Sequence, residues 1–352
     1  MATPRLYLDH AATTPLHPAA RAAMAQALDR WANPSSPHAE GRAARAALEE
    51  ARARIGRALG FDGAILFTSG ATEAIEIALR RAKADGRLVS AVEHDAVRRA
   101  VPEAAVLPVD GDGMVGPLPD AARGALVAVQ AVNNETGVIQ PLDRIGAAVR
   151  GGGGLLLADC AQSAAKLALP EADFIALSAH KLGGPPGIGA LLVRDLATLS
   201  PSGGQEQGYR GGTENLPAVL GFAAAVEVGF DWIERAAALR ARLDAAIAAA
   251  GGIVVAAARE RLPTIASYRM PGVAATAQLI RFDMAGIAVS AGSACSSGSL
   301  KPSHVLAAMG WDEASAREVV RISFGRDTSE ADIDRVAAEW RAIATAARAR
   351  AA

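Results

Sequence analysis

The stretch AILFTSGATEAIEIALRRA, residues 64–82, decides how the chain is read. Its opening run is apolar with no polar alternation, the mark of a strand buried on both faces. Ser69 and Gly70 supply a tight turn, and the alanine-rich run that follows reads as a helix. The same unit recurs along the chain. RLVSAVEH, GALVAVQAVNN, GLLLADC, DFIALSAH and IGALLVR are further apolar strands, with helical segments such as 42–59 and 142–149 between them. This alternation predicts an α/β fold with a mostly parallel sheet covered on both faces. Ligands in such sheets sit at the carboxyl ends of strands. The polar tails TSGATE, VEH, NNETG, DCAQS and SAHK fall there.

Beyond this unit the pattern changes. GGGG at 151–154 reads as a helix-to-strand turn, not a linker. A long helical stretch, 216–250, follows RGGTEN and leads from one domain toward another. After about residue 252 the strands TIASYRMP, IAVSAG and VVRISFG mix with helices near 275–285, 302–309 and 329–347. This predicts a large domain over 15–235 and a smaller α+β C-terminal domain over 236–352, joined by 1–14. A chain of 352 residues is comfortable for two domains.

Composition narrows the function classes. Formal net charge is −1, and arginines are spread among acids with no basic stripe, so nucleic acid and anionic membrane are not expected partners. No apolar run reaches the roughly 18 residues of a membrane span. MATPRLYLDHAATTP lacks a signal-peptide pattern, and two cysteines, Cys160 and Cys295, cannot build a disulfide framework. The expected setting is cytoplasmic, and no metal site is expected.

Of 36 basic residues only four are lysine: Lys83, Lys166, Lys181 and Lys301. Arginine stays protonated, whereas a lysine amine can lose its proton and act as a nucleophile. Lys181 closes a buried strand in LSAHKLGGPPGIG. A loop lysine alone is ordinarily solvated, but this one suits a Schiff base with an aldehyde cofactor. Asp159 ends the strand LLLAD, where a carboxylate is costly without a cation. It either caps a helix or pairs with a protonated ring nitrogen such as that of pyridoxal phosphate. Gln162 stands ready to donate to the ring's phenolic oxygen. In TSGATE the N–H groups of Ala71 and Thr72 open a helix and can receive a phosphate, with Ser178 and His180 in reach. His94 in VEHDAV could stack on the ring and move protons, although a lone histidine is more often structural.

The ordered set YLDHAATTP, NPSSPHAEGR, TSGATEA, EHDAV, NNETGVIQP, DCAQSAAK, SAHKLGGPPGIG, GGQEQGYRGGTEN, SAGSACSSGSLKPSHVL and VRISFGR resembles the cysteine desulfurases. These are class V, fold-type I pyridoxal phosphate enzymes. The likeness runs from about residue 5 to about residue 335, nearly the whole chain. It implies a large domain with a seven-stranded, mostly parallel sheet. It implies that Lys181 carries the cofactor, Asp159 pairs with the pyridine nitrogen, Gln162 with the phenolic oxygen, and His94 stacks on the ring. Ala71, Thr72, Ser178 and His180 would hold the phosphate, and Thr213 the phosphate of a partner subunit in a homodimer. Asn134 would lie near cofactor and substrate. Arg321 would clamp the substrate carboxylate with help from Asn33.

The resemblance gives Cys295 the central role. SAGSACSSGS, residues 290–299, resembles the longer, mobile catalytic loop of one group of these enzymes. L-Cysteine would leave as L-alanine, its sulfur held as a persulfide on Cys295 for a sulfur-acceptor protein, with a transient iron–sulfur hand-over near that residue. Cys160 follows Asp159 on a buried strand and reads as a small hydrophobe. Pro186 stands where relatives carry lysine, and the spacing after Lys181 and the tail are short, which leaves the acceptor open. The rival readings are another class V lyase, acting on selenocysteine or cystine, an aminotransferase, and a non-catalytic scaffold.

Overall fold

The computed structural model describes residues 4–29, 32–292 and 302–351. In chain order the first elements are β1 (Leu6–Tyr7), α1 (Pro18–Leu28), α2 (Ala39–Leu59), β2 (Ala64–Thr68), α3 (Ala71–Arg81), β3 (Arg87–Ser90) and α4 (Asp95–Ala100). Then come β4 (Ala105–Leu107), β5 (Leu126–Gln130), α5 (Leu142–Gly151), β6 (Leu155–Asp159), β7 (Phe174–Ser178), β8 (Gly189–Val193) and α6 (Leu216–Glu227). The last part holds α7 (Ile233–Ala249), β9 (Ile253–Val254), β10 (Ile265–Arg269), α8 (Ala275–Met284) and β11 (Ile287–Ala288). It closes with α9 (His304–Ala308), α10 (Glu313–Ala316), β12 (Val319–Ser323) and α11 (Glu330–Ala351).

Seven strands form the central sheet in the order β2-β8-β7-β6-β5-β3-β4. Strands β7, β6, β5, β3 and β4 run parallel, and β8 lies antiparallel between β7 and β2. The unbroken apolar runs have a direct cause. Along β5, Val127 and Val129 pack with Leu48 and Ile55 of α2, Ile145 of α5 and Phe222 of α6. The alternate residues Leu126 and Ala128 pack with Ile75 and Leu79 of α3 and Val97 of α4. Both faces are covered, so neither position set can be polar. Each such Val, Leu or Phe contributes about 1.5–3 kcal/mol by burial.

A three-stranded antiparallel sheet, β12-β10-β9, packs with α7, α8 and α11. Its core includes Tyr268, Phe282 and Trp340, together with Leu6 and Leu8 from the N-terminus. β1 adds to β11 as a short parallel pair.

Four sequence expectations are corrected. The stretch 216–250 is two helices, because Gly229 adopts φ 69° between α6 and α7 and its carbonyl accepts a bond from Arg326. IAVSAG gives only the two-residue β11, since its neighbour β1 is equally short. The helix expected over 302–309 starts at His304, capped by the Ser303 hydroxyl, which accepts from the Leu306 N–H. β3 stops at Ser90, so His94 caps α4 instead of ending a strand.

Candidate active site

The carboxyl ends of β2, β5, β6 and β7 converge on a cavity of about 350 Å³. Ala71, Thr72, His94, Asn134, Asp159, Gln162, Ser178, His180 and Lys181 all line it. The sequence had nominated each of them.

Lys181 ends a single 3₁₀ turn, Ala179–Lys181, that leaves β7. Its Nζ donates to the Ala11 carbonyl at 2.6 Å. Gln162 Nε2 donates to the same oxygen at 2.9 Å. A second N–H of that amide remains, and Oε1 is buried without a partner among the described residues. The amide is therefore held on one side and unsatisfied on the other.

Asp159 is the last residue of β6, and its Oδ1 accepts from the Ala161 N–H at 2.9 Å. Burial pushes its pKa up, against that hydrogen bond and the charges of His94 and Lys181. A carboxylate in this position is stabilised by a cation facing it from the cavity. His94 Nδ1 accepts from the Ala96 N–H at 3.2 Å. This bond leaves the proton on Nε2. Burial lowers the His94 pKa, with Asp159 opposing and Lys181 adding to the shift.

The α3 N-terminus has no side-chain cap. The N–H groups of its first turn have no intrahelical acceptor, and the helix dipole adds positive potential. Gly70, at φ 154°, turns the chain into this helix. Gly189 of β8 lets that turn pack directly against it: a Cβ there would lie 2.6 Å from the Gly70 Cα and 2.3 Å from the Leu177 carbonyl. His180 Nδ1 lies 3.2 Å from Thr13 Oγ1, and burial with the Lys181 charge pushes His180 down to about 4. A neutral imidazole and free N–H groups make this end of the cavity suited to an anion.

Three nominated residues do not line the cavity. Arg321, on β12, touches it through Asn134, whose carbonyl accepts from Nη1 at 2.9 Å. Thr213 and Asn33 are exposed, and Asn33 Oδ1 accepts from the Ser35 N–H. Cys295 lies outside the described residues. Its described flanks are tied to residues next to Asn134: Ser290 exchanges backbone bonds with Arg321, and Ser303 Oγ donates to Glu135 Oε2 at 2.5 Å. Cys160 is fully buried and its thiol is pushed up to about 12, in keeping with a packing role.

Two buried acids beside the site, Glu93 and Glu135, escaped the sequence reading. Glu93 Oε1 accepts from Ser90 Oγ at 2.7 Å and the Gln130 N–H at 2.8 Å, and burial pushes its pKa up to about 8. Burial also raises Glu135. Both lie inside quoted motifs, Glu93 in VEH and Glu135 in NNETG, and an acid beside an apolar strand end was the available signal.

The spare Gln162 N–H, the buried Asp159, the uncapped helix and the Lys181 amine fit one group: an aldehyde that carries a phenolic oxygen, a phosphate and a protonated ring nitrogen. Among the described residues no cluster could hold a metal ion.

The aminotransferase class-V family matches residues 6–336. An IscS-like cysteine desulfurase of Mycobacterium tuberculosis is 38% identical, the match covering 93% of each chain. A cysteine desulfurase of Archaeoglobus fulgidus is 36% identical over 94% of each. Among solved structures, a NifS-like protein from Rickettsia africae superposes with a TM-score of 0.87 at 30% identity, covering 96% of this chain and 99% of its own. SspA, solved in complex with cysteine, superposes at 0.78 with 31% identity, covering 91% and 98%.

Proposed function

Because the chain belongs to the aminotransferase class-V family, and within it to the cysteine desulfurases, we propose that it takes sulfur from L-cysteine with pyridoxal phosphate and releases L-alanine. One observation carries the reading: Lys181, Asp159, His94 and the free α3 N-terminus share one cavity. Bound there, the cofactor supplies an electron sink for bonds broken at the substrate.

The protein's own residues do the rest. The Ala11 carbonyl holds the Lys181 amine at the end of β7, where it can take the cofactor and pass a proton. Asp159 balances positive charge at the cavity floor. His94 would stack on the ring and use its Nε2 to move a proton. Ala71, Thr72, Ser178 and His180 receive the phosphate. Arg321, with Asn134 beside it, orients the substrate carboxylate. Cys295 accepts the sulfur as a persulfide, and the anchoring of its flanks on Arg321 and Glu135 supports that assignment.

The reading includes a homodimer in which Thr213 serves the partner's phosphate; its exposure away from its own cavity supports this. A sulfur-acceptor protein completes the cycle, with iron–sulfur hand-over near Cys295 as the finer form. The shared core of Leu6, Leu8, α7 and α11 supports a small domain over 236–352 with 1–14, beside a large one over 15–235. Among the described residues no helix is long and apolar enough to cross a membrane.

The test is incubation of the purified holoenzyme with L-cysteine. Alanine should form, and mass spectrometry should find one added sulfur atom on Cys295. A Cys295→Ser protein that still releases sulfide would favour a lyase, and stable amino transfer to a keto acid an aminotransferase.

A further inference from the structure

Lys166 is one of only four lysines in an arginine-rich chain, and the catalytic reading leaves it unused. It lies in the turn after β6 and is only partly accessible. Among the described residues its amine makes no hydrogen bond or ion pair, and it lies 5.6 Å from the centre of the Phe230 ring. Buried ammonium groups are ordinarily paired, because an isolated one is costly to desolvate. Burial and the nearby Lys181 charge bring this amine down to about 7.

The amine borders a second cavity of about 270 Å³, which shares no lining residue with the catalytic one. His10, His17 and Arg326 line it too, against a single carboxylate, Asp327. Arg326 is already engaged by Asp231 at 2.8 Å. His17 Nδ1 accepts from the Ala19 N–H, which leaves its Nε2 proton available. The wall next to the amine is aromatic: the Phe230 and Trp232 rings lie 5.7 Å apart, tilted by 37°, and Phe324 also lines the cavity. Trp232 Nε1 and His10 Nδ1 are buried without partners among the described residues. A basic head, an apolar wall and unsatisfied donors in an enclosed space are the makings of a small-ligand site.

We propose that this cavity binds a small organic monocarboxylate, its carboxylate on the Lys166 amine and its apolar body against Phe230, Trp232 and Phe324. One uncommitted ammonium suits one negative charge, and Asp327 opposes a dianion. The aromatic wall excludes a bare inorganic anion as the best fit. The floor includes Leu182 and Gly183, the residues that follow Lys181, so an occupant would sit directly behind the reactive turn. The proposal does not depend on the catalytic roles assigned above.

The probe is benzoate, titrated calorimetrically into the cofactor-loaded enzyme, with benzamide as the uncharged control. Benzoate should bind one per chain and benzamide about tenfold more weakly or less, a difference of about 1.4 kcal/mol. Lys166→Met should abolish that preference, and Lys166→Arg should retain it, with the cofactor absorbance unchanged in both. If Lys166→Met does not fold, Lys166→Gln supplies the same comparison. Equal benzoate affinity in wild type and the uncharged variant, or no binding at millimolar concentration, overturns the proposal. Displacement of benzoate by L-cysteine with no effect of Lys166→Met would assign the binding to Arg321 and overturn it equally.

Discussion

Arg321 and Asp9 form an ion pair, Nη2 to Oδ1 at 2.7 Å, across 312 residues of sequence. Nη1 of the same guanidinium donates to the Asn134 carbonyl, while Nε is buried without a partner among the described residues. The fork is thus fixed on two sides and incompletely satisfied on the third. A guanidinium held this way keeps its remaining N–H donors in a fixed plane, and in the proposed clamp role a lysine ammonium would not reproduce that geometry.

Arg321→Lys is therefore expected to raise KM for L-cysteine about 10- to 100-fold, the loss of about 1.4–2.7 kcal/mol of binding. The turnover number should fall less, because lysine keeps the charge. Steady-state alanine formation checks this. An unchanged KM would remove Arg321 from the substrate clamp.

Glu93 makes a prediction about pH. It is fully buried, and its folded pKa of about 8 lies above the ordinary value of 4.5. Between those values the native state holds a proton that the unfolded chain has released. Stability from this group is thus fully present below about pH 4.5 and lost as pH rises toward 8. Glu93→Gln keeps the acceptor for Ser90 and the Gln130 N–H and removes the ionisation. Its melting temperature should gain on wild type steadily from pH 5 to pH 8.5. Parallel curves for the two proteins would show that Glu93 does not titrate in this range.

Much of the architecture was legible because the sheet is buried on both faces, which writes apolar runs such as LVAVQ and FIALS directly into the sequence. Lys181, Asp159 and Gln162 were legible for a related reason: polar residues at the ends of such runs have few non-chemical uses. What stayed hidden depends on distant pairing. No local pattern says that Asp9 meets Arg321, or that Glu206 sits under Arg52 and accepts from the Phe67 N–H at 2.7 Å. β4 escaped because an edge strand of three residues, with Ala105 and Val106 exposed, carries no periodicity. The break at Gly229 was hidden by alanine-rich helices on both sides.

Ser303 joins fold and site most directly. Its hydroxyl accepts from the Leu306 N–H at 3.1 Å, capping α9, and donates to Glu135 Oε2 at 2.5 Å. Glu135 belongs to the turn whose Asn134 carbonyl holds Arg321, and His304 Nε2 lies 2.8 Å from the Glu93 carbonyl oxygen. Ser303→Ala removes a cap worth about 1 kcal/mol. It also strips a buried carboxylate of its hydroxyl donor, at about 1–3 kcal/mol. A fall in melting temperature of roughly 5 °C or more is expected, with Ser303→Thr restoring most of it. Because Ser303 anchors the stretch that follows Cys295, the alanine variant should also load less sulfur on that cysteine in a timed incubation. Its cofactor absorbance should match wild type, since no cofactor-facing group has changed. Normal sulfur loading in a protein with the lowered melting temperature would confine Ser303 to a structural role. Loss of both cofactor and sulfur would mean that the turn holding Asn134 had collapsed with it.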